Sequence, residues 1–184
     1  MIEISTARTV IRNFLPGDWF DLQEIAADKE ASPYALYDHP FPTTEQEIQQ
    51  ITGWFSKHDN YLAVSDTAAK KVIGYIALNG EGTEEFGLGY CVHSSYQNKG
   101  YATEACMAVI NHAFGTLGAK RLTSGTAVLN LPSCRLLSRL GFRKTGENTV
   151  SFRKNEEGKA IEFTGATFEL PRDAWERMDY IGLP

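Results

Sequence analysis

Residues 84–106, EEFGLGYCVHSSYQNKGYATEAC, constrain this chain more than any other stretch. Alternation from 85 to 93 reads as a strand. One face would carry Phe86, Leu88, Tyr90 and Val92, and the other Glu85, Gly87, Gly89, Cys91 and His93. The second face is smooth in its middle. Either a close-packed helix lies over the two glycines, or an extended ligand lies along the strand. The strand ends at His93 in a short polar loop with Gln97, Lys99 and Gly100. A helix then opens, with Ala102, Cys106, Val109, Ile110, Ala113 and Leu117 at helical spacing and Gly118 at its end. The first turn of a helix leaves about four backbone N–H groups without partners, and the helix dipole adds positive charge there. From Ser94 through Thr103 there is one lysine and no acid, and Glu104 can point away on the next turn. Gly100 permits close backbone approach. The junction therefore reads either as an ordinary strand–glycine–helix turn or as a seat for a phosphate-bearing ligand.

The rest of the chain mixes strands and helices without strict alternation. Residues 8–14 read as a strand, ended by Pro16-Gly17-Asp18, with Asp18 as the N-cap of a helix through Leu22, Ile25 and Ala26. Residues 32–42, rich in proline and aromatics, read as a loop. Thr44 with Glu47 forms a capping-box pattern ahead of a helix through Trp54 and Phe55. Strands follow at 61–65 and 72–78, then at 120–127 after the central helix. Pro132 opens a short helix closed by Gly141, and a hairpin spans 145–153 and 160–170 with its turn near 155–158. The pattern predicts an α+β fold, a mixed sheet flanked by helices, as a single domain over residues 1–184.

Bulk properties exclude several classes. The net charge is −5, against the basic face that broad nucleic-acid binding needs. No apolar run approaches the ~18 residues of a membrane span, and the opening residues have no signal-peptide core. The three cysteines, Cys91, Cys106 and Cys134, lack metal-like spacing and read as free thiols of a cytoplasmic protein. The four histidines lie far apart, so no metal site is expected. A P-loop and a Gly-x-Gly-x-x-Gly turn are both absent, which disfavours other nucleotide-binding domains.

Taken in order, Gln97-x-x-Gly100-x-Ala102, the following GYATEA, then AF..LGAKRL, Asn130-x-x-Ser133 and LGF resemble the GNAT superfamily of N-acetyltransferases, in its Rim-type branch. The branch comprises ribosomal-protein N-terminal acetyltransferases and their relatives. The resemblance covers roughly residues 6–175 and is strongest over 86–146. It implies a mostly antiparallel mixed sheet in which two adjacent parallel strands, here 85–93 and 120–127, splay apart to admit the pantetheine arm. It further implies acetyl-CoA as cosubstrate. Gln97, Asn98, Lys99, Gly100, Tyr101 and Ala102 would offer amides to the pyrophosphate, and Thr103 a hydroxyl. Backbone groups of Tyr90, Cys91 and Val92 would meet the pantetheine, with the Val92 N–H on the thioester carbonyl.

Many members of the superfamily protonate the leaving thiolate from a tyrosine, but this chain has Leu137 there. Ser133 and Asn130 match the branch's serine and its CoA-contacting asparagine, although both types also suit a helix start. The usual acid ahead of the Gly-Tyr pair is replaced by Gly87. This leaves Glu85, His93, Glu162, Glu169 or a bridging water as the base. The implied acceptor is an amine, on a protein N-terminus or a small molecule, attacking directly in a ternary complex. Tyr34, Tyr37, Phe41 and Trp54 either line its site, pack a satellite core or face a second subunit in a homodimer. Gly87 and Leu137 also motivate a different function, a non-catalytic acyl-CoA sensor.

Overall fold

The central strands pair into one sheet because they bury apolar side chains on at least one face, and the strand at Lys71–Asn79 is buried on both. The computed structural model describes residues 1–80 and 84–178. In chain order the elements are β1 (Glu3–Ser5), β2 (Thr9–Asn13), α1 (Trp19–Ala31), α2 (Glu45–Phe55), β3 (Tyr61–Asp66), β4 (Lys71–Asn79), β5 (Glu85–Val92), α3 (Tyr101–Gly115), β6 (Arg121–Ala127), α4 (Leu131–Arg139), β7 (Arg143–Lys154), β8 (Ala160–Pro171) and α5 (Arg172–Glu176). The sheet runs β1-β2-β3-β4-β5-β6-β8-β7. Neighbours are antiparallel except β5 and β6, which are parallel. This is the mixed, mostly antiparallel sheet with flanking helices that the resemblance implies.

Two apolar clusters flank the sheet. On one face α3 sends Ala105, Cys106, Val109, Ile110 and Ala113 onto Ile76, Leu78, Phe86 and Leu88, and α4 adds Leu137. On the other, Leu22, Ile25 and Ala26 of α1 and Ile48 and Phe55 of α2 cover Phe14, Ala63, Val72 and Tyr75. Residues 72–78 are buried without interruption, as a strand covered on both faces should be. Each fully buried Leu, Ile or Phe of these clusters contributes about 1.5–3 kcal/mol of burial.

Some local expectations are met by different contacts. β1 is too short for its periodicity to be read, yet it pairs with β2 from Glu3↔Arg12 to Ser5↔Val10. Asp18 makes no side-chain bond to the first turn of α1. A 3-10 turn at Pro16–Asp18 leads into that helix, and the Asp18 carboxylate instead accepts from the Leu15 N–H at 2.7 Å and grips both terminal nitrogens of Arg12 at 2.7 and 3.0 Å. Thr44 precedes α2 as expected, but its hydroxyl bonds the Glu47 carboxylate rather than a backbone N–H.

The β7–β8 hairpin reaches across to residues 30–41. Arg153 forks onto Glu30 at 2.8 and 2.9 Å and donates from Nε to the Asp38 carbonyl at 2.9 Å. Tyr37 packs edge-on to Phe163 at 5.1 Å, and Phe41 stacks on Tyr75 at 6.0 Å. Two of the loop aromatics thus turn inward. Trp54 lies elsewhere, against His58 and Tyr61.

Candidate active site

At the entry to α3 the backbone adopts two left-handed conformations, Asn98 at φ 58° and Gly100 at φ 86°. The first favours asparagine and the second glycine, because a Cβ crowds the following carbonyl there. The first intrahelical bond runs from the Glu104 N–H to the Gly100 carbonyl at 3.0 Å. Among the described residues, no acceptor takes the main-chain N–H groups from Asn98 through Thr103. Gln97 differs from these neighbours. Its N–H already donates to the Ser94 carbonyl at 3.1 Å, and its side chain ties the turn to β5 by donating from Nε2 to the Val92 carbonyl at 2.8 Å. Lys99 Nζ donates to the Ser95 carbonyl at 2.8 Å.

Glu104 does turn away, and the N-terminal segment explains where. Its carboxylate accepts from Thr6 Oγ1 at 2.6 Å, the Arg8 N–H at 2.9 Å and Arg8 Nε at 2.7 Å. Burial alone would raise this carboxyl, but the three donors outweigh it and hold Glu104 below the usual carboxylate range. The same Arg8 donates from Nη1 to the Lys99 carbonyl at 2.9 Å and lies 4.4 Å from the Tyr101 ring centroid. A clamp therefore holds the turn, built from a residue far away in sequence. Local periodicity carries no sign of it.

β5 and β6 pair only at Glu85↔Arg121, Phe86↔Leu122 and Gly87↔Thr123, although they extend to Val92 and Ala127. Beyond Gly87 they diverge. Antiparallel pairing alternates hydrogen-bonded and open positions. The His93 N–H donates to the Ile73 carbonyl at 2.9 Å, so Cys91 and Gly89 also address β4. Leu88, Tyr90 and Val92 consequently turn their main-chain groups toward the opening. Two of those carbonyls find side chains there: Leu88 accepts from Ser124 Oγ at 2.8 Å, and Val92 from Gln97. Ser124 thus sits at the fork itself.

Across the opening, Tyr90 Oη lies 2.9 Å from Ser133 Oγ on α4. Asn130 caps that helix, its Oδ1 accepting from the Ser133 N–H at 3.2 Å. Leu137, one turn on, is fully buried. Burial pushes the Tyr90 phenol well above its ordinary range, with the Ser133 bond opposing. Burial also pushes the Cys91 thiol up to about 12, leaving it protonated and unsuited to nucleophilic attack.

Paired residues of neighbouring strands share a face. Gly87, Gly89 and Cys91 of β5 therefore share theirs with Ala77 and Tyr75 of β4, and with Arg121 and Thr123 of β6. Among the described residues, no helix presses on the two glycines. A Cβ on Gly87 would meet nothing closer than the Asn79 carbonyl at 3.8 Å, and one on Gly89 only Ala77 Cβ at 3.5 Å. The close-packed-helix reading fails at these two positions: among the described residues, only the neighbouring strands come within ordinary van der Waals contact of an added Cβ.

The expected base candidates are engaged or distant. Both Glu85 oxygens accept from Arg121 Nη2 at 2.8 Å, at the closed end of the fork, and Glu169 takes the other arm of Arg121 at 3.4 Å. His93 Nδ1 accepts from the Ser95 N–H at 3.2 Å, and Nε2 lies 4.0 Å from Asp28. Glu162 is exposed on the β7–β8 hairpin. Among the described residues, no group of His, Cys, Asp and Glu could hold a metal ion.

Residues 8–143 match the acetyltransferase (GNAT) domain family. By sequence the chain is similar to YnaD of Bacillus subtilis, an uncharacterized N-acetyltransferase, with 29% identity over 151 residues covering 79% of this chain and 85% of the relative. It is also similar to the ribosomal protein uS5-alanine N-acetyltransferase of Escherichia coli, at 27% over 155 residues covering 79% and 80%. By fold it resembles a GNAT-family acetyltransferase from Bacillus anthracis, with a TM-score of 0.80 and 21% identity over 94% of this chain and 99% of that one. The chain belongs to the GNAT family and is an acetyl-CoA-dependent N-acetyltransferase.

Proposed function

We propose that the chain acetylates a low-pKa primary amine, a protein N-terminal α-amine before any other, by direct attack on acetyl-CoA in a ternary complex. In this reading the open amides of residues 98–103 hold the CoA diphosphate, with the Thr103 hydroxyl beside them. The main chain of Tyr90 and Val92 meets the pantetheine arm in the fork. The Val92 N–H polarises the thioester carbonyl. Ser133 donates to the sulfur as it leaves, and Asn130 orients the start of α4.

One observation carries the choice of amine. The two carboxylates nearest the fork on its open face, Glu85 and Glu169, both serve Arg121. Their oxygens are taken up by guanidinium N–H donors rather than offered to an incoming amine. An α-amine has a pKa of about 7.7–8.0 and is roughly a tenth or more neutral at pH 7. A lysine at about 10.4 is neutral in well under a thousandth of molecules, a difference of about 3.4 kcal/mol that the site would have to supply. The uS5-alanine acetyltransferase of Escherichia coli is a relative whose name specifies such an acceptor.

The test is thiol release from acetyl-CoA against N-terminal peptides, lysine peptides, polyamines and aminoglycosides. N-terminal peptides are expected to turn over best. A preference for internal lysine would reverse the assignment. Binding of CoA with no thiol released from any amine would favour the sensor instead.

A further inference from the structure

The Tyr90 hydroxyl has two acceptors within reach, Ser133 Oγ at 2.9 Å and the Ser133 carbonyl at 3.4 Å, and both belong to one residue. The ring is packed against the apolar cluster beneath α3 and α4. A phenol so placed must give its single proton to a neighbour, and the shorter contact is the better one. A serine hydroxyl has one proton and two lone pairs. If Tyr90 donates to Ser133 Oγ, the serine proton cannot point back at the phenol and must point elsewhere. The bond spans the gap between diverging β5 and the helix that follows β6, so the free direction includes the opening.

We propose that Tyr90 is a positioning residue: by donating to Ser133 Oγ it turns the serine O–H toward the sulfur of departing CoA. The inference rests on the reading of Ser133 given above. In the step, the amine nitrogen bonds the acetyl carbon, the C–S bond breaks and its electron pair leaves on sulfur. Ser133 passes its proton to that sulfur and regains one from water, while the nitrogen sheds one to water, so one proton moves from N to S overall. Tyr90 keeps its own proton throughout. Its raised pKa holds the phenol as a donor over the working range. Donation into Ser133 also strengthens the outgoing serine bond, since linked hydrogen bonds polarise one another.

Two readouts test this on the intact protein. The first needs no turnover: the thiol pKa of bound CoA, followed by thiolate absorbance. It should lie about one unit lower in wild type than in Tyr90→Phe or Ser133→Ala, by the same amount in both, because each removes one directed hydrogen bond. Replacing Tyr90 by 3-fluorotyrosine, a stronger donor of nearly the same shape, should move it further down. The second is kinetic. Tyr90→Phe should lower kcat about tenfold with KM for acetyl-CoA within about twofold. Tyr90→Phe/Ser133→Ala should be no slower than Ser133→Ala alone. Equal bound-thiol pKa in wild type and Tyr90→Phe, or losses that multiply in the double variant, would overturn the proposal. A wild type that releases no thiol but still shows the pKa differences would remove the acetyl-transfer reading and leave the Tyr90–Ser133 geometry standing.

Discussion

Gly100 offers the most direct test of the open-amide turn, because alanine and aspartate at this position separate backbone strain from charge. At φ 86° any Cβ costs about 1–2 kcal/mol. It would also meet Arg8 Nη2 at 3.1 Å, the mobile end of a long side chain that can yield a few tenths of an ångström. Gly100→Ala should therefore lower the melting temperature by about 3–6 °C for a chain of this size, and weaken CoA only slightly. Gly100→Asp adds the same strain and a carboxylate about 5 Å from a diphosphate seated on the amides of residues 101–103. Each pair of unit charges at that distance repels by about 0.8 kcal/mol in water and about 3.3 kcal/mol at an effective dielectric of ~20. The turn is exposed, so the lower figure applies. Against two phosphate charges it gives about 1.7 kcal/mol, roughly a 15-fold loss of affinity beyond that of alanine.

Calorimetric titration with CoA at low and high salt measures this directly. Because the repulsion is screened, the gap between the aspartate and alanine variants should shrink as salt rises. Equal affinities for wild type, alanine and aspartate would refute a diphosphate on this turn. An aspartate deficit that salt does not change would trace to distortion rather than charge.

Three further outcomes follow from neighbouring contacts. Arg8→Ala removes the guanidinium from Glu104 and from the Lys99 carbonyl, and should raise KM for acetyl-CoA about fivefold with kcat little changed, the worth of one charge-assisted bond. Gly89→Leu fills the open strip while its Cβ makes only an ordinary contact with Ala77. It should cut kcat/KM for the amine at least about tenfold and leave CoA affinity within about twofold, and an unchanged kcat/KM in steady-state assays would place the acceptor on another face. The fork of Arg153, first among its causes, holds Glu30 below the usual carboxylate range. A depressed folded pKa stabilises fully above the unfolded value of about 4.3 and progressively less as pH falls through the folded one. Glu30→Gln should thus destabilise at pH 7 by about 1 kcal/mol, and in thermal melts the difference from wild type should shrink as pH falls below about 4.3.

What the sequence made legible was local. A strand with Phe86, Leu88 and Val92 on one face, a helix with Cys106, Val109 and Ile110 at helical spacing, and the glycine between them depend on periodicity and left-handed backbone, which neighbouring residues decide. The hairpin was legible for the same reason, though its strands run to Arg143 and Pro171, past any sign in their composition. The contacts that specialise the site join distant residues. Thr6 and Arg8 reach Glu104 from the other end of the fold, Ser124 reaches the Leu88 carbonyl, and Tyr90 reaches Ser133. One signal was available for the last: Tyr90 carries the only hydroxyl on an otherwise apolar strand face, and such a group needs a partner when buried. The capping patterns show the converse. Asp18 and Thr44 stood where caps belong, but Arg12 and Glu47 offered them stronger partners than a backbone N–H. The divergence of β5 from β6 joins the two levels. Local pattern supplies both strands, but where their pairing stops is a long-range matter: it ends after three residue pairs, and just past the last of them Ser124 Oγ, not a backbone N–H, meets the Leu88 carbonyl.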